Sequence, residues 1–261
     1  MEGDSIMVAI PARIVSQKDV NMNQQQIAEK GLSLDLGCGG TKKEGTIGVD
    51  IVGFPGVDCV VDMESQPLPF PDRSVDYIFS SHFLEHTVEL GNIFVEIGRV
   101  CKDGAQLEIW TPYGWHNDAL LPGHRTFLTE EHYLHICVIF PEVWQAALRS
   151  RWVLNEVQYV ISEDVLALLA AQNISVGFAV KHMINIVKEF CVHITVLHHT
   201  PQETPAQVKL TYSTSRKGPR QEVTMELSRP STGGSPYRLQ GLRRFIPRPL
   251  KRLIKSIIYS G

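Results

Sequence analysis

The chain has 261 residues, 43% of them hydrophobic, and a formal net charge of −3 at pH 7. That supplies the core of one large domain and excludes wholesale disorder. The near-balanced charge removes the electrostatic case for nucleic-acid binding by the whole chain, and no stretch reaches the roughly 18 uninterrupted apolar residues of a membrane-spanning helix.

In chain order, residues 1–31 read as a lead-in, with a polar run over 21–30 that can form a helix. The acidic start, with its apolar run cut by Pro11, does not read as a secretory signal. Alternation then predicts strands near 32–36, 46–50, 58–62, 75–80 and 105–111. The clearest helix is 88–100, where Ile93, Val95, Ile97 and Val100 are mixed with Glu89, Glu96 and Arg99. Strands separated by helical connections predict an α/β fold, a doubly wound, mostly parallel sheet. Thr129 followed by Glu130 and Glu131 marks a helix start. Further on, 152–161 and 190–198 read as strands, and 162–172 and 178–189 as helices. The runs 208–212 and 223–227 flank a basic tip, 213–220, and read as a hairpin. The His198–His199 pair reads as solvated surface. Residues 228–236 are rich in Ser, Pro and Gly and read as a linker. This divides the chain into 1–31, a main domain over 32–200, a hairpin and linker over 201–241, and a C-terminal extension over 242–261.

The five cysteines, Cys38, Cys59, Cys101, Cys137 and Cys191, are odd in number and show no C-x-x-C spacing. A disulfide framework or structural zinc site is not expected, and a reducing, cytoplasmic setting fits.

The densest information lies between residues 34 and 86. Leu34-Asp35-Leu36-Gly37-Cys38-Gly39-Gly40 is an apolar strand running into a glycine turn, where a ligand can approach the backbone. Gly48-Val49-Asp50-Ile51 and Val60-Val61-Asp62-Met63 are strand ends carrying acids. Leu68-Pro69-Phe70-Pro71-Asp72 leads through a fourth strand to Ser80-Ser81-His82-Phe83-Leu84-Glu85-His86. A nicotinamide-dinucleotide turn wants G-x-G-x-x-G, and here the third glycine falls at Lys42, so that pattern fails.

This order of motifs resembles the class I S-adenosylmethionine (SAM)-dependent methyltransferases, in particular their type 11-like branch. The resemblance covers residues 32–112 well. It implies a Rossmann-like fold, SAM as cofactor and S-adenosylhomocysteine as product. It also implies that Gly37, Gly39 and Gly40 pass close to the methionine portion, with Asp35 beneath the turn. Asp50 would take the ribose hydroxyls and Ile51 would pack on the adenine. Asp62 and Met63 would meet the adenine edge, with Ser81 and His82 facing the sulfonium. Acceptors favoured by the branch are sugars or glycosylated metabolites methylated on oxygen. N- or C-methylation of a natural product, or SAM binding without catalysis, are the alternatives.

The loop after the fifth strand holds Tyr113, Trp115, His116, Asp118, His124 and Arg125. An oxygen nucleophile must lose a proton, and a histidine titrates in the right range. His116 and His124 are therefore the candidate bases, with Asp118 as partner or alternative. No set of donors has tight ligand spacing, so no metal is expected. Finally, 242–259 places six Lys and Arg residues opposite apolar residues at helical spacing without an acid, a pattern of peripheral membrane contact or of a helix packed on its own domain.

Overall fold

The computed structural model describes residues 31–201 and 207–224. The helix expected over 21–30, the end of the hairpin beyond 224, the linker and the basic tail lie outside these residues.

The strands form one nine-stranded sheet in the order β3-β2-β1-β4-β5-β7-β6-β8-β9. Its first five members are β1 (Leu32–Leu36), β2 (Ile47–Asp50), β3 (Cys59–Val60), β4 (Val75–Ser81) and β5 (Cys101–Pro112), all mutually parallel. β7 (Glu189–Leu197) is antiparallel to both β5 and β6 (Arg151–Val160). β8 (Lys209–Ser213) runs parallel to β6, and β9 (Gln221–Glu222) closes a hairpin on the edge.

Period-two alternation decides which side chains fill the core. Leu34, Ile78, Leu107, Ile109, Val192 and Ile194 lie on one face and are all fully buried. Tyr77, Phe79, Glu108 and His193 alternate onto the other face and are half-buried. There the Lys43 ammonium lies 4.0 Å from the Phe79 ring centre and donates to Tyr77 Oη at 2.6 Å and Glu108 Oε2 at 2.9 Å. This ties the loop after β1 across two neighbouring strands.

The crossovers are leaner than the sequence suggests. Among the described residues, β1–β2, β2–β3 and β3–β4 are joined by turns and coil, and the first helix is α1 (Leu90–Val100) between β4 and β5. It buries Ile93, Phe94, Ile97 and Val100, an i, i+1, i+4, i+7 stripe. At Gly98 a Cβ would meet the Leu148 carbonyl oxygen at 2.5 Å, so this glycine lets the chain after α1 pack close. Between β5 and β6 lie α2 (Glu130–Leu134), a π-helical turn (His135–Ile139) and α3 (Pro141–Leu148). Thr129 starts α2 as expected, its N–H donating to His132 Nδ1 at 3.3 Å. Proline at the first position opens α3, and Arg149 at φ 54° ends it.

Three expectations need correction. β5 begins at Cys101 rather than near the predicted 105, because Val75 pairs with Cys101. The helix over 178–189 is instead α5 (Val176–His182), following α4 (Glu163–Ala171). It stops at Met183, which is extended at φ −124° and ψ 153°; beyond it Asn185 adopts φ 59° and its side chain accepts from Asn117 N–H at 2.8 Å. His198 is not free surface: its Nε2 pairs with the Cys101 carbonyl at 2.7 Å, and its N–H donates to Asp103.

Candidate active site

The cleft is built where β1, β2, β4 and β5 end and β7 begins, the edge where ligands bind in open parallel sheets. Gly37 and Gly39 adopt φ 69° and 54°, values that favour glycine. A Cβ on Gly37 would sit 2.3 Å from Phe83, so the turn is pressed against the segment leaving β4. At Gly39 and Gly40 a Cβ would meet nothing within 4 Å, which leaves open space over that part of the turn.

Two acids hold the turn. Asp35 is 2% exposed and accepts from Lys43 N–H at 2.7 Å. Burial pushes its carboxyl above the usual range despite that bond and the nearby Lys43 charge. Asp50 accepts from Gly39 N–H at 2.8 Å and Val52 N–H at 3.0 Å, one on each oxygen, and each oxygen keeps a further lone pair. Beside it Ile51 is 62% exposed, an apolar side chain free to lie against a flat ring. Asp62 likewise accepts one bond on each oxygen, from Glu64 N–H and Ser65 Oγ, and keeps further lone pairs, while Met63 is buried. Asp58, which sequence reasoning passed over, accepts from Gly48 N–H at 2.7 Å and pairs with Lys42, so it ties β2 to the approach to β3.

The β4 end is engaged by charged partners that the sequence does not announce. His82 has φ 53°, and its ring bridges Glu85 at 3.1 Å and Glu189 at 2.9 Å. Hydrogen bonds to Glu189 and then Glu85 raise it to about 9, against the effect of burial. It is therefore a cation and a donor at neutral pH. Arg216, from the basic tip, donates to both oxygens of Glu189 at 2.9 and 2.6 Å and to Ser81 Oγ at 2.9 Å, and stacks 4.8 Å from the Trp110 ring centre. Burial favours the neutral Glu189 acid, but His82 and Arg216 outweigh it and hold the carboxyl at about 2. Ser81 and His82 thus belong to a wall of paired charges that joins β4, β7 and the β8–β9 hairpin.

The loop after β5 separates the two candidate bases. His116 Nδ1 accepts from Asp118 N–H at 3.1 Å and caps a short 3-10 turn (Asn117–Leu120). A neutral ring accepting at Nδ1 carries its proton on Nε2 and has no lone pair left for catalysis. Asp118 lies 3.6 Å from the same ring nitrogen. His116 and Asp118 therefore serve the turn. His124 instead pairs through Nδ1 with the Ala119 carbonyl at 3.2 Å, which a ring nitrogen bearing the proton satisfies. Its ring packs edge-on against His86, with centres 4.8 Å apart. The fold also brings Glu85, His86 and His124 together, each with one donor atom within 4.8 Å of the others. A separate groove of about 490 Å³, lined by Met63, Pro67, Val95 and Trp144, opens between α1 and α3, away from these residues.

Residues 50–109 match a family described as a methyltransferase domain. The matched stretch runs from the end of β2 into β5, so the likeness to a methyltransferase domain covers the part of the sheet that borders the glycine turn. Among solved structures, the chain is similar to a SAM-dependent methyltransferase from Archaeoglobus fulgidus, with 17% identity over 69% of this chain and 94% of that one, and a TM-score of 0.44. A SAM-dependent methyltransferase from Mesorhizobium loti gives 13% identity, 63% and 90% coverage and a TM-score of 0.42. A geranyl diphosphate C-methyltransferase from Streptomyces coelicolor gives 14%, 68% and 77%, and 0.40. No curated protein matches the chain. SAM is the cofactor that the sequence resemblance implies, and the turn suits it: open backbone at Gly39 and Gly40, a carboxylate with spare lone pairs at Asp50 and an exposed apolar side chain at Ile51.

Proposed function

We propose that this domain methylates a hydroxyl group of a sugar or glycosylated metabolite. The observation that carries the reading is the open glycine turn, clamped by Asp50 on one side and pressed on Phe83 on the other. When bound, SAM supplies an electrophilic methyl carbon. Gly37, Gly39 and Gly40 would line its amino-acid end, with Asp50 and Ile51 at the nucleoside. The chain's remaining task is to present the acceptor in line and exclude water. Phe83 leads directly into Glu85 and His86, so acceptor chemistry falls on that segment and on the loop that carries His124. The rim beside it is apolar: Trp115, Leu120, Leu121, Met183 and Ile184 are exposed, and their two loops are tied by Asn185 to Trp115 and Asn117. Such a rim suits a glycoside with an apolar aglycone better than a bare sugar.

The test is calorimetry with SAM and S-adenosylhomocysteine, followed by transfer of labelled methyl to glycosides and to matched amines. Binding of both cofactor forms and labelling of glycoside oxygen are expected. Labelling confined to amine nitrogen or to carbon would overturn the choice of acceptor, and indifference to SAM would overturn the whole reading.

A further inference from the structure

We propose that Glu85, His86 and His124 form a binding site for a first-row divalent cation, zinc by preference, at the acceptor side of the cleft. Their donor atoms lie within 4.8 Å of one another, although His86 and His124 are far apart in the chain. A second, independent observation points to a ligand. The Glu85 side chain is 2% exposed, and while one oxygen meets His82, its Oε2 is buried with no hydrogen-bond partner. An orphaned carboxylate oxygen carries a substantial desolvation cost unless something cationic or protic meets it.

The two rings are prepared in the way imidazole ligands are. His86 Nδ1 lies 3.3 Å from the Gly123 carbonyl, and His124 Nδ1 lies 3.2 Å from the Ala119 carbonyl. A carbonyl fixes the proton on Nδ1 and leaves Nε2 as the lone pair, the usual outer-sphere arrangement of a metal-bound histidine. The backbone that joins the two segments is also fixed. Arg125 and Thr126 N–H both donate to the Glu85 carbonyl, at 2.7 and 3.1 Å, and Thr126 Oγ1 donates to the Thr87 carbonyl. His124 is thus held beside Glu85 by its neighbours rather than by its own ring.

Two imidazoles and one carboxylate select borderline cations such as zinc over magnesium or calcium, which prefer all-oxygen sets. Zinc bonds of about 2.0–2.1 Å place tetrahedral donors roughly 3.4 Å apart. From donor atoms up to 4.8 Å apart, the site therefore closes by as much as about 1.4 Å on binding, and exposed His86 is the side chain free to move. Three protein donors leave one position open, as in catalytic rather than structural zinc sites. An acceptor hydroxyl in that position would lose its proton more readily. That last step rests on the methyl-transfer reading; the site itself does not.

The full-length protein, stripped with chelator, is titrated with zinc chloride by calorimetry and with cobalt chloride by visible absorption. One tight equivalent is expected, with the intense cobalt bands of low coordination number. Glu85→Gln, His86→Ala and His124→Ala should each weaken it at least 30-fold, while His182→Ala, on an exposed helix end, should leave it unchanged. His86 is exposed, so its variant keeps the test alive if Glu85→Gln fails to fold. No tight equivalent, or one that all three variants retain, overturns the site and leaves a water on Glu85. Cation binding without methyl transfer would count against the proposed activity, not against the site.

Discussion

The Gly37 backbone lies against the Phe83 side chain so closely that a β-carbon at Gly37 would fall 2.3 Å from it. This contact joins the two halves of the cleft. One half is the turn that follows β1; the other is the segment that follows β4 and carries Glu85 and His86.

Gly37→Ala should destabilise the fold by about 2–5 kcal/mol, combining left-handed backbone strain with overpacking. Gly39→Ala has the backbone term but no clash, so about 1–2 kcal/mol is expected. Its larger effect should be on SAM affinity, because the new methyl enters the open side of the turn. Urea denaturation and SAM calorimetry on both variants separate the effects. Equal stability losses would show that Phe83 is not the limiting contact.

Asp50→Ala removes the acceptor for Gly39 and Val52 N–H and the proposed ribose partner together. SAM binding should weaken by roughly 1.5–3 kcal/mol, the range for hydrogen bonds to a charged group. Asp62→Ala should also weaken SAM binding, because each of its oxygens keeps a lone pair beyond the bonds from Glu64 and Ser65. Unchanged SAM affinity in this variant would remove Asp62 from the cofactor site.

His116→Gln should keep turnover within a few-fold of the parent, since the ring caps a turn. A cap of this kind is worth about 0.5–2 kcal/mol of stability. A loss of turnover by 10²–10⁴ with intact SAM affinity would restore it as a base.

Glu108 gives a pH dependence with a definite sign. Burial favours its neutral form, but donors from Trp110, Tyr77 and Lys43 together hold the folded carboxyl at about 2, against 4.5 for the ordinary group. A depressed carboxylate stabilises the fold above the unfolded value, and that contribution is lost as pH falls from about 4.5 through about 2. Glu108→Gln should therefore lower stability at pH 7 and flatten the acid limb of a urea midpoint titration over this window. An unchanged acid limb would show that Glu108 is not held in this way.

Much of this was legible in the sequence. Leu34 to Gly40, Asp50 and the alternating strands are local signals, readable within a few residues. Two kinds of relation were not. The π-helical turn at His135–Ile139 has no sequence mark that periodicity detects. Pairings across long separations are invisible too: His86 with His124, and Arg216 with Glu189 and Ser81, meet because β4, β5 and the reversed β7 share one edge. His116 is a third case. Its residue type suits a base, but which ring nitrogen is engaged depends on the fold of 116–120.

The tail over 242–259 rests on sequence alone, and we propose that it docks to anionic membrane. Full-length protein should co-sediment with acidic vesicles at low salt and release as salt rises, each Lys or Arg contributing on the order of 1 kcal/mol. Equal sedimentation with neutral vesicles, or with residues 242–261 deleted, would count against it.

The Arg216–Ser81 hydrogen bond spans 135 positions of chain. Contacts that distant close late, because the intervening chain resists being brought together until nearer pairings have shortened the loop. During synthesis, the glycine turn and the strands around it can therefore assemble well before the hairpin carrying Arg216 has emerged. An early-folding chain would present a cofactor pocket whose far wall, with Glu189 unclamped, is still missing. In that order of assembly, cofactor and acceptor would meet only once nearly the whole domain is made.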